Sequence, residues 1–85
     1  MNRLLINVFC PPASKSYDFW IPAKITVEAA IGLLCADICV YENNPGLFSE
    51  SRGLILRSYL LRKTLPPGST LEQAGIRSGD RLALL

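Results

Sequence analysis

The stretch TLEQAGIRSGDRLALL, residues 70–85, carries the clearest structural signal in the chain. Thr70 is a favourable helix N-cap, which predicts a short helical turn over Leu71–Ala74. Gly75 suits the left-handed conformation that ends such a turn. Apolar residues then alternate, so we expect a final strand over Asp80–Leu85 that points Leu82 and Leu84 into the core.

Two strands are predicted near the N-terminus. Apolar side chains alternate over Leu4–Phe9, and Pro11 and Pro12 stop this first strand. Alternation resumes over Tyr17–Ile21 and ends at Pro22. The residues between, Pro11–Ser16, have the composition of a turn, so the two strands are expected to form a hairpin with a longer loop.

One amphipathic helix is predicted over Thr26–Glu42. Thr26 is a plausible N-cap, and apolar residues recur at steps of four, three, four and three, namely at Val27, Ile31, Leu34, Ile38 and Tyr41. The sequence Asn-Asn-Pro-Gly at 43–46 ends the helix and begins a polar loop over Asn43–Gly53.

The middle of the C-terminal half has a less regular pattern. Leu54–Arg62 is apolar and compatible with a strand, although its alternation leaves the register open. A short strand is expected over Lys63–Leu65, followed by a turn at Pro66–Gly68.

The resulting order is strand, strand, helix, strand, short strand, helical turn, strand. It predicts an α+β fold of the β-grasp type, in which a mixed sheet wraps over one helix. The predicted core places four helix residues, Val27, Ile31, Leu34 and Ile38, on ten others, Leu4, Ile6, Val8, Tyr17, Phe19, Leu65, Leu71, Ile76, Leu82 and Leu84.

Size and composition limit the function. A chain of 85 residues and 9.4 kDa is expected to form a single domain, residues 1–85, with little room for a deep cleft as well as a core. The net charge of +2 disfavours a nucleic-acid partner. Histidine is absent, which removes the commonest general base and metal ligand. We therefore expect no enzymatic activity.

The cysteines and the apolar stretches indicate the compartment. Cys10, Cys35 and Cys39 are an odd number and are too few for a structural zinc site without histidine, so no metal and no cofactor are expected. Free cysteines favour a reduced, cytoplasmic location. No export signal is recognised, and the apolar stretch 29–41 is too short to span a membrane, so no membrane insertion is expected.

The last third of the chain resembles known proteins. Its pattern of Leu65, Gly68, Thr70, Leu71 and Ile76, followed by Leu82, Leu84 and Leu85, is similar to the end of ubiquitin. Residues 70–85 most resemble the YukD/EsaB family of bacterial ubiquitin-like proteins: Leu, three residues, Gly-Ile, two residues, Gly-Asp-Arg-Leu and an apolar strand. Members of that family are accessory proteins, or cytosolic domains of membrane components, of type VII secretion systems, without known catalytic residues. The resemblance implies an interaction module.

Two alternatives remain open. A sulfur carrier or protein modifier of this fold would need a Gly-Gly tail, whereas the sequence stops at Leu84-Leu85, so this reading requires a missing tail. Residues 74–82 are also similar to the Ala-Gly-Leu-x-x-Gly-Asp-x-Ile segment of PDZ domains, although the rest of a PDZ domain is not recognisable.

We expect a protein partner at one of two surfaces. The first is the outward face of the sheet, with Leu5, Ile55, Arg57, Arg81, Ala83 and Leu85. The second is the back of the helix, with Leu33 and Val40 beside Trp20, which is the better candidate for a homodimer because Ala29, Gly32 and Ala36 allow close approach. Trp20 points away from the helix, covered either by a loop (Pro11–Ser16 or Asn43–Gly53) or by a partner.

Overall fold

The computed structural model describes residues 3–48 and 53–85. Over these residues the elements are β1 (Arg3–Cys10), β2 (Lys15–Pro22), α1 (Val27–Tyr41), β3 (Leu56–Ser58), β4 (Lys63–Thr64) and β5 (Arg81–Leu84). The strands form one mixed sheet in the order β2-β1-β5-β3-β4. β5 lies parallel to β1 and antiparallel to β3, and α1 packs on one face of the sheet. The element order is the predicted one.

The first hairpin is longer than predicted. β1 and β2 pair from Arg3 opposite Pro22 to Cys10 opposite Lys15, so the loop is shorter than Pro11–Ser16. The reversal needs only a 3-10 turn over Pro11–Ala13 and Ser14, whose φ of 53° is left-handed. Because this turn brings the strands straight back together, Lys15 continues the ladder instead of belonging to the loop.

The helix begins where its cap was predicted. The Thr26 hydroxyl oxygen accepts a hydrogen bond from the Ala29 amide at 3.2 Å. The two amides before it, of Val27 and Glu28, donate to the carbonyls of Ser69 and Pro67 at 2.8 and 3.1 Å. Amides of the first helical turn have no partner within the helix, so these contacts join α1 to the turn before residue 70.

The buried face of α1 differs from the predicted stripe. Val27, Ala30, Leu34, Cys35 and Ile38 are buried, whereas Ile31 is only partly buried and Tyr41 is 73% exposed. The small side chains of Ala30 and Cys35 face the sheet and the larger Ile31 lies at its margin. The buried face is therefore rotated by a fraction of a turn from the face that the largest apolar residues define.

The predicted strand Leu54–Arg62 is wrong in its second half. β3 ends at Ser58, whose buried hydroxyl accepts a hydrogen bond from the Leu61 amide at 3.0 Å. Arg62 then takes a left-handed φ of 54°, and β4 returns antiparallel to β3. A tight turn therefore replaces the strand, and it leaves Leu60 72% exposed.

The 70–85 segment folds largely as predicted. Thr70 and Gln73 form a reciprocal capping pair, with two side-chain-to-amide hydrogen bonds of 3.0 Å each. A single turn follows and ends at Gly75, which has a φ of +87°. The Asp80 carboxylate accepts from the Arg77 amide at 2.9 Å, and β5 then places Leu82 and Leu84 in the core.

One core joins the sheet and the helix. Its fully buried large side chains come from α1, from strands β1, β2, β3 and β5 and from the connection after β4, and include Ile6, Val8, Ile21, Leu34, Ile38, Leu56, Leu65, Leu71, Leu82 and Leu84. Leu4 and Tyr17, predicted for this core, are only partly buried and pack at its edge. Among the described residues, no helix has the length and apolar character needed to cross a membrane.

Candidate interaction surface

The side of the sheet that faces away from α1 is defined by the strand pairing. Since successive side chains of a strand point to opposite faces, the buried residues on the helix side fix which ones point outward. We call this set the outer sheet face: Leu5, Asn7, Phe9, Ser16, Asp18, Trp20, Ile55, Arg57, Tyr59, Arg81, Ala83 and Leu85. All six sheet residues of the first predicted surface lie on it.

Trp20 forms one apolar end of the outer sheet face. It lies opposite the half-buried Leu5 and is 63% exposed. The prediction that it sits beside Leu33 and Val40 is wrong, because Phe19 and Ile21 point toward the helix and Trp20 therefore points to the other side of the sheet.

The first loop considered as a cover for Trp20 does not reach it. That loop joins Cys10 to Lys15, at the opposite end of the hairpin from Trp20. In the second candidate, Asn43–Gly53, residues 49–52 lie outside the described residues.

Leu85 and Ile55 form the other apolar end. Their backbone groups exchange hydrogen bonds of 3.0 and 2.9 Å, which extends the pairing of β3 and β5. Leu85 is 46% exposed and Ile55 is half-buried. The parallel register places this pair about 20 Å from Trp20 and Leu5 along the strands.

A groove lies between the two apolar ends. It has a volume of about 440 Å³ and is lined by Asn7, Phe9, Ser16, Tyr59 and Arg81. Ala83 is opposite Phe9 on β1 and Arg57 on β3, and it is only 4% exposed. The prediction of Ala83 as an exposed contact is therefore corrected: its short side chain is shielded by longer neighbours on both adjacent strands.

Two arginines give this face its charge. Arg57 and Arg81 are both exposed, and the Arg57 guanidinium donates to the Arg62 carbonyl at 3.4 Å. The face also carries Asp18, whose carboxylate accepts from the Asn7 side-chain amide at 3.0 Å. Among residues 3–48 and 53–85, the one salt bridge joins Lys15 Nζ to Glu42 Oε1 at 3.2 Å. It involves neither arginine.

The exposed side of α1 is a separate surface. Leu33 is 41% and Val40 80% exposed, and they are seven residues apart on one helix face. We call these two residues, with Ala29, Gly32 and Ala36, the helix patch. A shallow depression of about 320 Å³ adjoins it at the helix end, lined by Cys39, Val40, Asn43, Asn44 and Pro45. The helix patch and Trp20 lie on opposite sides of the molecule.

A polar cluster at the end of α1 was not predicted. The Tyr17 hydroxyl donates to the Glu42 carboxylate at 2.6 Å, and Lys15 bridges to the same carboxylate. Burial, the hydrogen bond and the nearby negative charge raise the pKa of Tyr17 to about 12. The hydrogen bonds from Tyr17 and Lys15 lower the pKa of Glu42 below its ordinary range. This cluster ties the helix C-terminus to β2.

Two of the three cysteines, Cys10 and Cys35, are core residues. Cys10 and Cys35 are buried and Cys39 is partly buried, all with free thiols. Burial raises the pKa of the Cys10 and Cys35 thiols, which is the opposite of what a nucleophile or metal ligand needs. Among the described residues no three His, Cys, Asp or Glu side chains are grouped to hold a metal ion.

Four groove residues, Asn7, Phe9, Ser16 and Tyr59, were missed as site candidates. Alternation along β1 contains the signal for the first two, since they follow Leu5 on the same face. Tyr59 gave no such signal, because its place depends on where β3 ends.

Comparison with known proteins identifies the fold. No protein-family model and no curated protein matches the sequence. The ubiquitin-like domain of EccD5 from Mycobacterium xenopi matches with a TM-score of 0.78 and 18% identity, over 100% of this chain and 94% of that domain. The ubiquitin-like domain of the Mycobacterium tuberculosis type VII secretion system protein ECCD1 matches with a TM-score of 0.71 and 18% identity, over 100% of this chain and 99% of that domain.

Ubiquitin from Caldiarchaeum subterraneum also matches, with a TM-score of 0.66 and 18% identity, over 98% of this chain and 91% of that protein. The segment that also resembles PDZ domains forms the turn and β5 of this sheet. The chain therefore has the ubiquitin-like β-grasp fold, a mixed sheet packed over one helix.

Proposed function

We propose that the chain is a non-catalytic, non-conjugated ubiquitin-like module that binds another protein through its outer sheet face. The observation that carries this proposal is the 63% exposure of Trp20 beside Leu5, on a face that also holds a groove. Tryptophan is enriched among interface residues that contribute about 2 kcal/mol or more to binding. A partner is the simplest cover for this side chain.

The partner belongs, in this proposal, to a bacterial type VII secretion machine in the cytoplasm. Two findings support this assignment. The segment 70–85 resembles the YukD/EsaB family, and the ubiquitin-like domain of the secretion protein ECCD1 matches along nearly its whole length. The chain would act as an accessory component or as a cytosolic domain.

The absence of catalysis is also part of the proposal. In the hydrogen-bonded pair of Tyr17 and Glu42, the pKa of Tyr17 is raised to about 12 and the pKa of Glu42 is lowered, so Tyr17 stays protonated and Glu42 ionised. Neither group then changes its charge near neutral pH, as a general acid or base must. We propose no cofactor and no metal.

A covalent carrier is the competing function. It would require a Gly-Gly tail beyond Leu85, and the pairing of Leu85 with Ile55 would then mark where the sheet ends and such a tail begins. The gene's reading frame separates the two functions: a frame that continues into Gly-Gly favours the carrier, and one that continues into membrane spans favours a domain of a membrane component.

Photo-crosslinking in the cells that natively express the chain tests the proposal. A photoreactive phenylalanine analogue replaces Trp20 in one variant and the exposed Val40 of the helix patch in another. We expect the Trp20 variant alone to form an adduct with a component of the secretion machine, identified by mass spectrometry. Equal adducts from both positions, or none from Trp20, would contradict the proposal.

A further inference from the structure

Two positive side chains emerge close together on the outer sheet face. Arg57 lies opposite Ala83 in the pairing of β3 and β5, and Arg81 precedes Ala83 by two residues on β5. Such diagonal neighbours on adjacent strands are about 7–8 Å apart. In the described parts of the chain, no acidic side chain lies within 4.0 Å of either guanidinium. Their repulsion is therefore not relieved by a direct ion pair.

The acidic residue of the same face does not take this role. The Asp18 carboxylate accepts a hydrogen bond from Asn7, which lies between Asp18 and Arg81 in the sheet. Two strand spacings, about 10 Å, separate the backbones of Asp18 and Arg81. An external anion is thus the complement that the arginine pair lacks.

The groove beside the arginines has an apolar component. Phe9 and Tyr59 lie on the two sides of β5 and line the groove. Between them, Ala83 is nearly buried, and its short side chain does not fill the space above β5. The groove volume of about 440 Å³ lies within the range of sites that bind small ligands, roughly 300–1,000 Å³. Aromatic walls with arginine at the rim are the composition that protein interfaces favour.

We propose that this groove binds an acidic segment of the partner protein. A carboxylate of the segment pairs with Arg57 and Arg81, and a neighbouring apolar side chain packs between Phe9 and Tyr59. This inference rests on the proposed function and specifies the chemistry of its partner.

A protein segment fits these observations better than a lipid or nucleic-acid surface. Arginine and carboxylate have matching planar geometry and form paired hydrogen bonds. Phosphate-rich surfaces are instead bound by many positive charges at once. Here the outer sheet face holds two arginines, of which Arg81 lines the groove, and the same face also carries the acidic Asp18.

A displayed random peptide library, twelve residues long, provides the probe. It is selected against the unmodified chain, an Arg57→Gln/Arg81→Gln variant and a Lys24→Gln/Lys63→Gln control. The control loses the same charge, and both lysines are exposed and lie outside the outer sheet face. Thermal unfolding checks that all three proteins are folded.

We expect the unmodified chain and the control to enrich peptides that have Asp or Glu next to an apolar residue. The best peptide should bind the arginine variant about tenfold or more weakly than the control. Enrichment without acidic residues, no enrichment, or equal affinity for variant and control would overturn the inference.

Two further measurements separate the possible failures. If the Trp20 crosslink is retained while the arginine variant binds normally, the proposed function survives and the acidic chemistry is wrong. Vesicles of phosphatidylglycerol and phosphatidylcholine provide the lipid probe. Binding to them that the arginine variant loses and the control keeps would make the ligand a membrane and overturn the inference.

Discussion

On the inner face of the sheet, Ile6, Val8 and Leu82 are completely buried under α1, whereas their sequence neighbours on the outer face, Asn7, Phe9 and Arg81, line an open groove. The two faces share the same backbone and differ only in which side chains alternation assigns to them. We expect the inner face to determine stability, and we propose that the outer face binds the partner. Substitutions on the two faces should therefore change different measured quantities.

The largest effect is expected in the core. Leu34→Ala and Leu82→Ala each remove a fully buried side chain, and each should lower the free energy of unfolding by about 2–5 kcal/mol. Chemical denaturation measures this loss. The neighbouring residues Leu33 and Leu85 are partly exposed and provide matched controls, for which the loss should be much smaller. Equal losses in the core and control variants would show that the burial of α1 and β5 is misassigned.

A smaller effect is expected at the start of α1. Thr26→Ala removes the hydroxyl that accepts from the Ala29 amide and should cost about 1 kcal/mol of stability. Thr64→Ala, at an exposed position on β4, is the control. If both variants unfold at the same denaturant concentration as the unmodified chain, the cap contributes nothing.

The Tyr17–Glu42 contact should appear as a pH dependence. The pKa of Tyr17 is raised to about 12, so its contribution to stability is complete below the ordinary value of 10 and is lost as pH rises from about 10 to 12. The pKa of Glu42 is lowered, so its contribution is complete above the ordinary value of 4.5 and is lost as pH falls below it, through the lowered pKa.

Tyr17→Phe tests this contact directly. The variant should lose a phenolate absorbance step near pH 12 and flatten the alkaline decline in stability. If the phenolate step that the variant loses lies near pH 10 instead of pH 12, Tyr17 does not donate to Glu42 in solution.

The helix patch should affect association and leave stability unchanged. We expect Leu33→Glu to abolish a dimer while keeping the fold, because Leu33 is partly exposed on the side of α1 away from the sheet. Leu85→Glu, on the outer sheet face, should leave a dimer intact. Sedimentation of the unmodified chain decides the matter: a monomer at all concentrations would eliminate the helix patch as a dimer surface.

Local signals predicted the elements whose ends are set by neighbouring residues. Thr26 caps α1, and Thr70 and Gly75 begin and end the turn before β5, as their side-chain chemistry and backbone freedom require. Alternation of apolar residues also predicted which side chains of β1 and β5 point inward, such as Ile6, Val8, Leu82 and Leu84.

Side-chain contacts and strand pairings, some of them between distant parts of the chain, account for what the sequence did not reveal. Leu60 and Leu61 read as part of a strand, but the hydrogen bond to Ser58 and the pairing of β4 turn them into an exposed loop. The burial of Ala83 depends on Phe9 and Arg57, which come from other strands. The groove likewise joins residues of β1, β2, the turn after β3 and β5, and no local pattern contains it.

We propose that the outer sheet face serves binding and not stability, and Trp20→Ala separates these two roles. In this variant the free energy of unfolding and the crosslinking yield from a photoreactive residue at the neighbouring Leu5 are measured together. We predict that the free energy changes by about 0.5 kcal/mol or less, because Trp20 is 63% exposed, while the adduct with the secretion component is lost. A loss of about 2 kcal/mol of stability with an unchanged adduct would show that Trp20 serves the fold and not binding.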